Sequence, residues 1–149
     1  MERKVLRFTK VEEDRYLIDG EIEVEGIRAL VHFDGDSIDA QRLCRLAESA
    51  TEEIGGSCTH SDKSFVLTKH PDLNAVHALE HLIYFAFKRR LNPQYLAGMT
   101  KPIKDEKNNP IIGTVGIFLD MVPKNPDDGA LMRQVAEEVV NYCNRFLNS

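Results

Sequence analysis

His77-Ala78-Leu79-Glu80-His81, near the middle of the chain, follows the pattern H-x-x-E-H. Residues four apart on a helix stack on one face, so the imidazoles of His77 and His81 can reach one metal ion. Zinc suits such a pair, and Glu80, one turn from His77, can act as its acid/base partner. A third ligand is expected upstream. Cys58-Thr59-His60 on a strand would place both candidate side chains on one face. Cys58, His60, His70, His77 and His81 all fall within 24 residues, holding four of the five histidines. The chemistry implied is metal-assisted hydrolysis or lyase cleavage of a small molecule or peptide.

The longer stretch His77-Ala-Leu-Glu-His-Leu-Ile-Tyr-Phe-Ala-Phe-Lys-Arg-Arg-Leu-Asn92 resembles the metal-binding helix of S-ribosylhomocysteine lyases. It is also similar to the H-F-L-E-H helix of insulinase-type metallopeptidases. The likeness covers about sixteen residues, and its specific part is the H-x-x-E-H core. It implies an α+β fold with a strand before this helix, His77 and His81 as zinc ligands, Glu80 as acid/base, and a site closed by a dimer partner. The lyases place further cysteines after the helix, where Cys143 is the only cysteine here. The peptidases use a downstream glutamate, for which Glu137 and Glu138 are the candidates.

The elements that must position these groups follow from periodicity. Tyr16-Leu17-Ile18, the turn pair Asp19-Gly20 and the alternating Glu21–Glu25 read as a hairpin. Glu21, Glu23 and Glu25 share one face, which is expected to be wet. Gly26 permits a second turn into a strand over Ile27–Phe33. A first helix is expected from about Ser37 to Glu53, with Leu43, Leu46, Ala47, Ala50 and Ile54 on its apolar stripe. A strand around Ser64–Lys69, paired with Ser57–His60, leads to a second helix over Leu73–Leu91. Gln94–Pro110, polar and Pro- and Lys-containing, reads as an exposed loop with a short turn of helix. Ile111–Met121 alternates as a strand. The last helix, about Asp128–Leu147, carries Leu131, Val135, Val139, Tyr142, Cys143 and Phe146 as its stripe. The order β-β-β-α-β(β)-α-β-α predicts an α+β fold, a mainly antiparallel sheet with three principal helices.

Composition sets the boundaries. The 149 residues suit a single domain over 1–149, with 42% hydrophobic and 29% charged residues. Nineteen Lys and Arg against 24 Asp and Glu leave a formal charge of −5, which argues against a nucleic-acid or anionic-membrane partner. The charge is uneven. Residues 1–56 carry 8 basic and 14 acidic groups, 57–107 carry 8 and 5, and 108–149 carry 3 and 5. No apolar run approaches a membrane span, and the charged start Met1-Glu2-Arg3-Lys4 is unlike a signal peptide. Three cysteines without a C-x-x-C pair point to a reducing, cytoplasmic setting. On the helical wheel His77, Glu80, His81, Tyr84 and Lys88 share one side, opposite Leu79, Leu82, Ile83, Ala86 and Phe87. That polar side admits a second reading: a non-catalytic, homo-oligomeric binding or assembly protein, with the helix as a surface or subunit contact.

Overall fold

The computed structural model describes residues 2–54 and 70–149. The strands expected over Ser57–His60 and Ser64–Lys69, with the candidate ligands Cys58 and His60, lie outside them. The described chain runs β1 (Leu6–Ile18), β2 (Ile22–Phe33), α1 (Ser37–Ile54), α2 (Pro71–Arg90), β3 (Tyr95–Lys104), β4 (Pro110–Val122), a 3₁₀ segment (Pro126–Leu131) and α3 (Met132–Leu147). The four strands form one antiparallel sheet in the order β1-β2-β4-β3. This is an α+β fold with three principal helices, as the patterning predicts. No helix among the described residues is long and apolar enough to cross a membrane.

The β1–β2 hairpin turns where the sequence places it. Asp19 and Gly20 both take positive φ, 54° and 73°, the left-handed backbone that Asp and Gly tolerate best. Beyond the turn β2 continues straight through Gly26, which pairs with Asp14 on one side and Asp120 on the other. The expected turn at Gly26 is therefore absent. Its hydrogen bonds to two neighbours make β2 a central strand, and the missing side chain accommodates the Arg28 and Asp120 side chains beside it.

Alternation along the strands separates two faces. Ile27, Ala29, Val31 and Phe33 of β2 and Val115, Ile117, Leu119 and Met121 of β4 point to one side and are buried. There they meet Leu43 and Ala47 of α1, Leu79, Ile83 and Phe87 of α2, and Val135, Ala136 and Cys143 of α3. All three helices cover this side. The face expected for β4 is the one observed, from Gly113 to Met121. Glu25 shares the parity of Ile27 and is buried too, so the face expected to be wet is covered at that point. The covering element is the 3₁₀ segment, where a Cβ on Gly129 would fall inside the Glu25 carboxylate.

Two further differences have physical causes. The span expected to be a loop contains β3, which pairs with β4 from Tyr95↔Val122 to Lys104↔Pro110. Pro102 is tolerated because β3 is an edge strand in the described sheet. In α3 the buried stripe is Met132, Val135, Ala136, Val140, Cys143 and Leu147, while Leu131 and Tyr142 are exposed. The 3₁₀ segment delays the α-helix until Met132, and Met132 rather than Leu131 sets the phase.

Candidate functional site

Helix α2 is fixed at both ends by its sequence. Pro71 occupies its first turn, where a missing N–H costs nothing, and Lys88, Arg89 and Arg90 fill the last turn, where positive charge suits the carbonyl end. Asp72 Oδ2 accepts the Gly113 N–H at 2.9 Å, tying the start of the helix to the start of β4. At the far end Asn92 takes a φ of 44° and the chain turns into β3. The helix is buried around most of its girth, among them Ala75, Val76, Leu79, Ile83 and Phe87. It packs against α1, α3, β3 and β4.

That packing corrects the picture of a solvated polar face. Glu80 and His81 are each only 7% exposed. Strand β3, running antiparallel alongside the helix, accounts for Glu80. A Cβ at Gly98 would come within 3.2 Å of Glu80 Oε1 and 2.9 Å of Leu119 Cδ2. Glycine at this position lets the strand lie against the carboxyl group. One turn further, the Tyr84 hydroxyl donates to Leu96 O at 3.5 Å. Thr100, two residues beyond Gly98 on the same face of β3, has a buried hydroxyl with no hydrogen-bond partner among the described residues.

His77 and His81 converge. Their Nε2 atoms are 3.1 Å apart and the rings meet edge to face, with centroids at 4.7 Å. Phe85 lies on the far side of His81, its ring centroid 6.4 Å away. Two imidazole nitrogens bound to one tetrahedral zinc at about 2.0–2.1 Å would be separated by about 3.3 Å. The pair thus sits within a few tenths of an ångström of a two-ligand geometry. The contact itself is a hydrogen bond, one imidazole N–H donating to the ring nitrogen of the other, and its length is what resembles a pair of zinc ligands. Among the described residues no group of three or more His, Cys, Asp or Glu gathers to hold a metal. Cys58 and His60 lie outside those residues. His70 caps the start of α2, seven residues or about 10 Å along the axis from His77.

Burial pushes the Glu80 carboxyl up to about 7. It is then about half protonated near neutral pH and can give or take a proton. Tyr84 is also raised, by its own burial and then by the Glu80 charge. The cysteines behave oppositely to nucleophiles. Cys44 and Cys143 are buried and pushed by desolvation to about 11 and about 12, so both stay thiols within the core.

The downstream glutamates are placed elsewhere. Glu138 pairs with Arg90 at the end of α2, thirteen residues and about 20 Å along the helix from His77. Glu137 accepts from Arg133 at 3.0 Å on the exposed side of α3. The structure therefore brings His77 and His81 together, sets Glu80 into the α2–β3 seam, and leaves Glu137, Glu138 and Cys143 out. Gly98 and Thr100 belong to the span whose polar, Pro- and Lys-containing composition predicts a loop, and Gly98 and Pro102 interrupt the alternation that would mark a strand. No protein-family model, no curated protein and no solved structure matches the chain.

Proposed function

We propose that the protein is a divalent-metal-dependent hydrolase or lyase in which His77 and His81 hold a zinc ion and Glu80 handles the proton. The observation that carries this reading is the 3.1 Å approach of the two Nε2 atoms. Both must be free of protons to ligate, so metal affinity falls as pH drops. A zinc ion there would supply Lewis-acid polarisation of the substrate and a more acidic water. Glu80, with a carboxyl that titrates near neutrality, takes a proton from the attacking group and returns it to the leaving group. The third ligand in this reading comes from Cys58 or His60.

The test is metal content. Untagged protein is purified, loaded with zinc, manganese or iron, dialysed and quantified beside the His77→Ala/His81→Ala variant and single Cys58→Ala and His60→Ala variants. About one zinc per chain in the wild type, lost in the double variant and in one of the single variants, is the expected result. Less than about a tenth of an equivalent, unchanged in the double variant, overturns the enzyme reading. It would favour the non-catalytic binding or assembly protein instead.

A further inference from the structure

The sheet side opposite the helices carries a continuous row structure that the register fixes. Glu12, Arg28, Phe118 and Met99 lie side by side across the four strands. Asp14, Gly26, Asp120 and Ala97 form the next row toward the hairpin tip, and Lys10, Leu30, Gly116 and Lys101 the next row away from it. Beyond Asp14 the face becomes apolar, with Tyr16, Ile18 and Ile22 on the hairpin and Tyr95 and Val122 on the other pair, around Val24, which is already buried. Tyr16, Ile18, Ile22, Tyr95 and Met99 are all large exposed hydrophobics, and Met99 is 52% exposed. No residue of this face belongs to the helix-covered core.

We propose that this open face is the interface of a homodimer, a second copy of the chain packing sheet against sheet across Tyr16, Ile22, Phe118 and Met99. Area is the first argument. Four strands of 10 to 13 residues, spaced at about 4.8 Å with about 3.4 Å per residue, present on the order of 700 Å² in plane. Side-chain relief brings that close to the roughly 800 Å² per partner of a stable interface.

Charge is the second argument, and it selects the occupant. The N-terminal third is strongly acidic, yet this face holds the cations Arg7, Lys10, Arg28 and Lys101 against the anions Glu12, Asp14 and Asp120. Most are already engaged in pairs: Arg28–Asp120 at 2.7 Å, Arg28–Asp14 at 3.9 Å and Lys10–Glu12 at 2.9 Å. Arg28 and Lys101 each sit 5.8 Å from the Phe118 ring centroid. A nucleic acid or an anionic lipid surface finds no one-signed field here. An identical, balanced face meets no net repulsion, and its paired charges lose less on desolvation than lone ones would. Isologous contact of one patch with itself is the commonest route to a soluble dimer.

The proposal is independent of the metal reading, since it uses none of the residues of α2. Its test is sedimentation velocity from about 1 μM to about 500 μM, on wild type and on Met99→Glu, Tyr16→Glu and Ile38→Glu. Ile38 is exposed in the first turn of α1, among the helices and away from this face, so its variant is the control. The expected result is a wild-type dimer, a dissociation constant raised at least about tenfold by Met99→Glu and by Tyr16→Glu, and no change for Ile38→Glu. Methyl NMR of the wild type keeps the test valid if a variant misfolds: the Met99 and Ile22 signals should move with concentration while Ile38 stays fixed. A wild type that is monomeric throughout overturns the proposal, and if it also floats with phosphatidylcholine vesicles the occupant is a lipid surface. A dimer that survives both glutamate variants, or methyl signals that stay still, overturns it as well.

Discussion

Glu25 and Glu80 are equally buried, each 7% exposed, yet their surroundings differ in kind. Glu25 lies on β2 beneath the 3₁₀ segment and accepts the Arg15 guanidinium at 2.5 and 3.0 Å. Glu80 lies on α2 against β3 in no ion pair among the described residues, and desolvation raises it to about 7. One carboxylate is held in place by charge and a close-fitting glycine. The other is kept poised between its two protonation states. A buried acid with a partner stabilises a corner of the fold, whereas a buried acid without one costs stability at high pH and is retained where proton transfer is needed.

The largest expected effect tests Glu80. The unfolded chain releases this proton near the ordinary value of 4.5, and the folded chain holds it to about 7. Between those values the folded state binds more protons, so stability falls as pH rises and levels off above about 7. The shift corresponds to about 3 kcal/mol. Urea unfolding of the wild type in chelator at pH 5 and pH 8 should show that loss, and Glu80→Gln should remove it. An identical slope in the variant would mean that Glu80 is solvated.

Gly129→Ala attacks the other carboxylate. Its Cβ would occupy the place of the Glu25 carboxyl, so the 3₁₀ segment or the Arg15–Glu25 pair must move. A loss of about 2–3 kcal/mol is expected in denaturant melts. The cost should shrink when Glu25→Ala is already present, because the clash is with that side chain. Additive losses would place the strain elsewhere.

Gly98→Ala is the smallest of the three, about 1–2 kcal/mol, since the new methyl meets only the flexible ends of Leu119 and Glu80. By pushing β3 from the helix it should also let water reach Glu80 and flatten the pH dependence above. A variant that loses stability but keeps the full pH dependence would separate the strand contact from the raised carboxyl.

The same two glutamates show what the sequence could and could not convey. The i, i+4 spacing of His77 and His81 was enough to put the imidazoles within reach of each other, because helix geometry alone decides it. The Asp19-Gly20 turn and the inward face of β4 were legible for the same reason: each depends on local backbone preference or strict alternation. The burial of Glu80 was not, because it depends on β3, whose alternation is interrupted by Gly98 and Pro102 and whose Lys-rich tail looks solvated. Nor was that of Glu25, which alternates correctly with Ile27 but is covered by a segment a hundred residues later. Gly26 misled in the opposite direction, since glycine in a central strand leaves room for neighbouring side chains as readily as it makes a turn.

The central claim, that His77 and His81 act as one ligand pair, is tested most directly by long-range ¹H–¹⁵N NMR of the imidazoles during a zinc titration near pH 7.5. The account predicts that the Nε2 signals of both residues move together and saturate at one zinc per chain, while His32 is unaffected. Nε2 signals that stay in place through several equivalents of zinc, or that respond for one histidine alone, would contradict it.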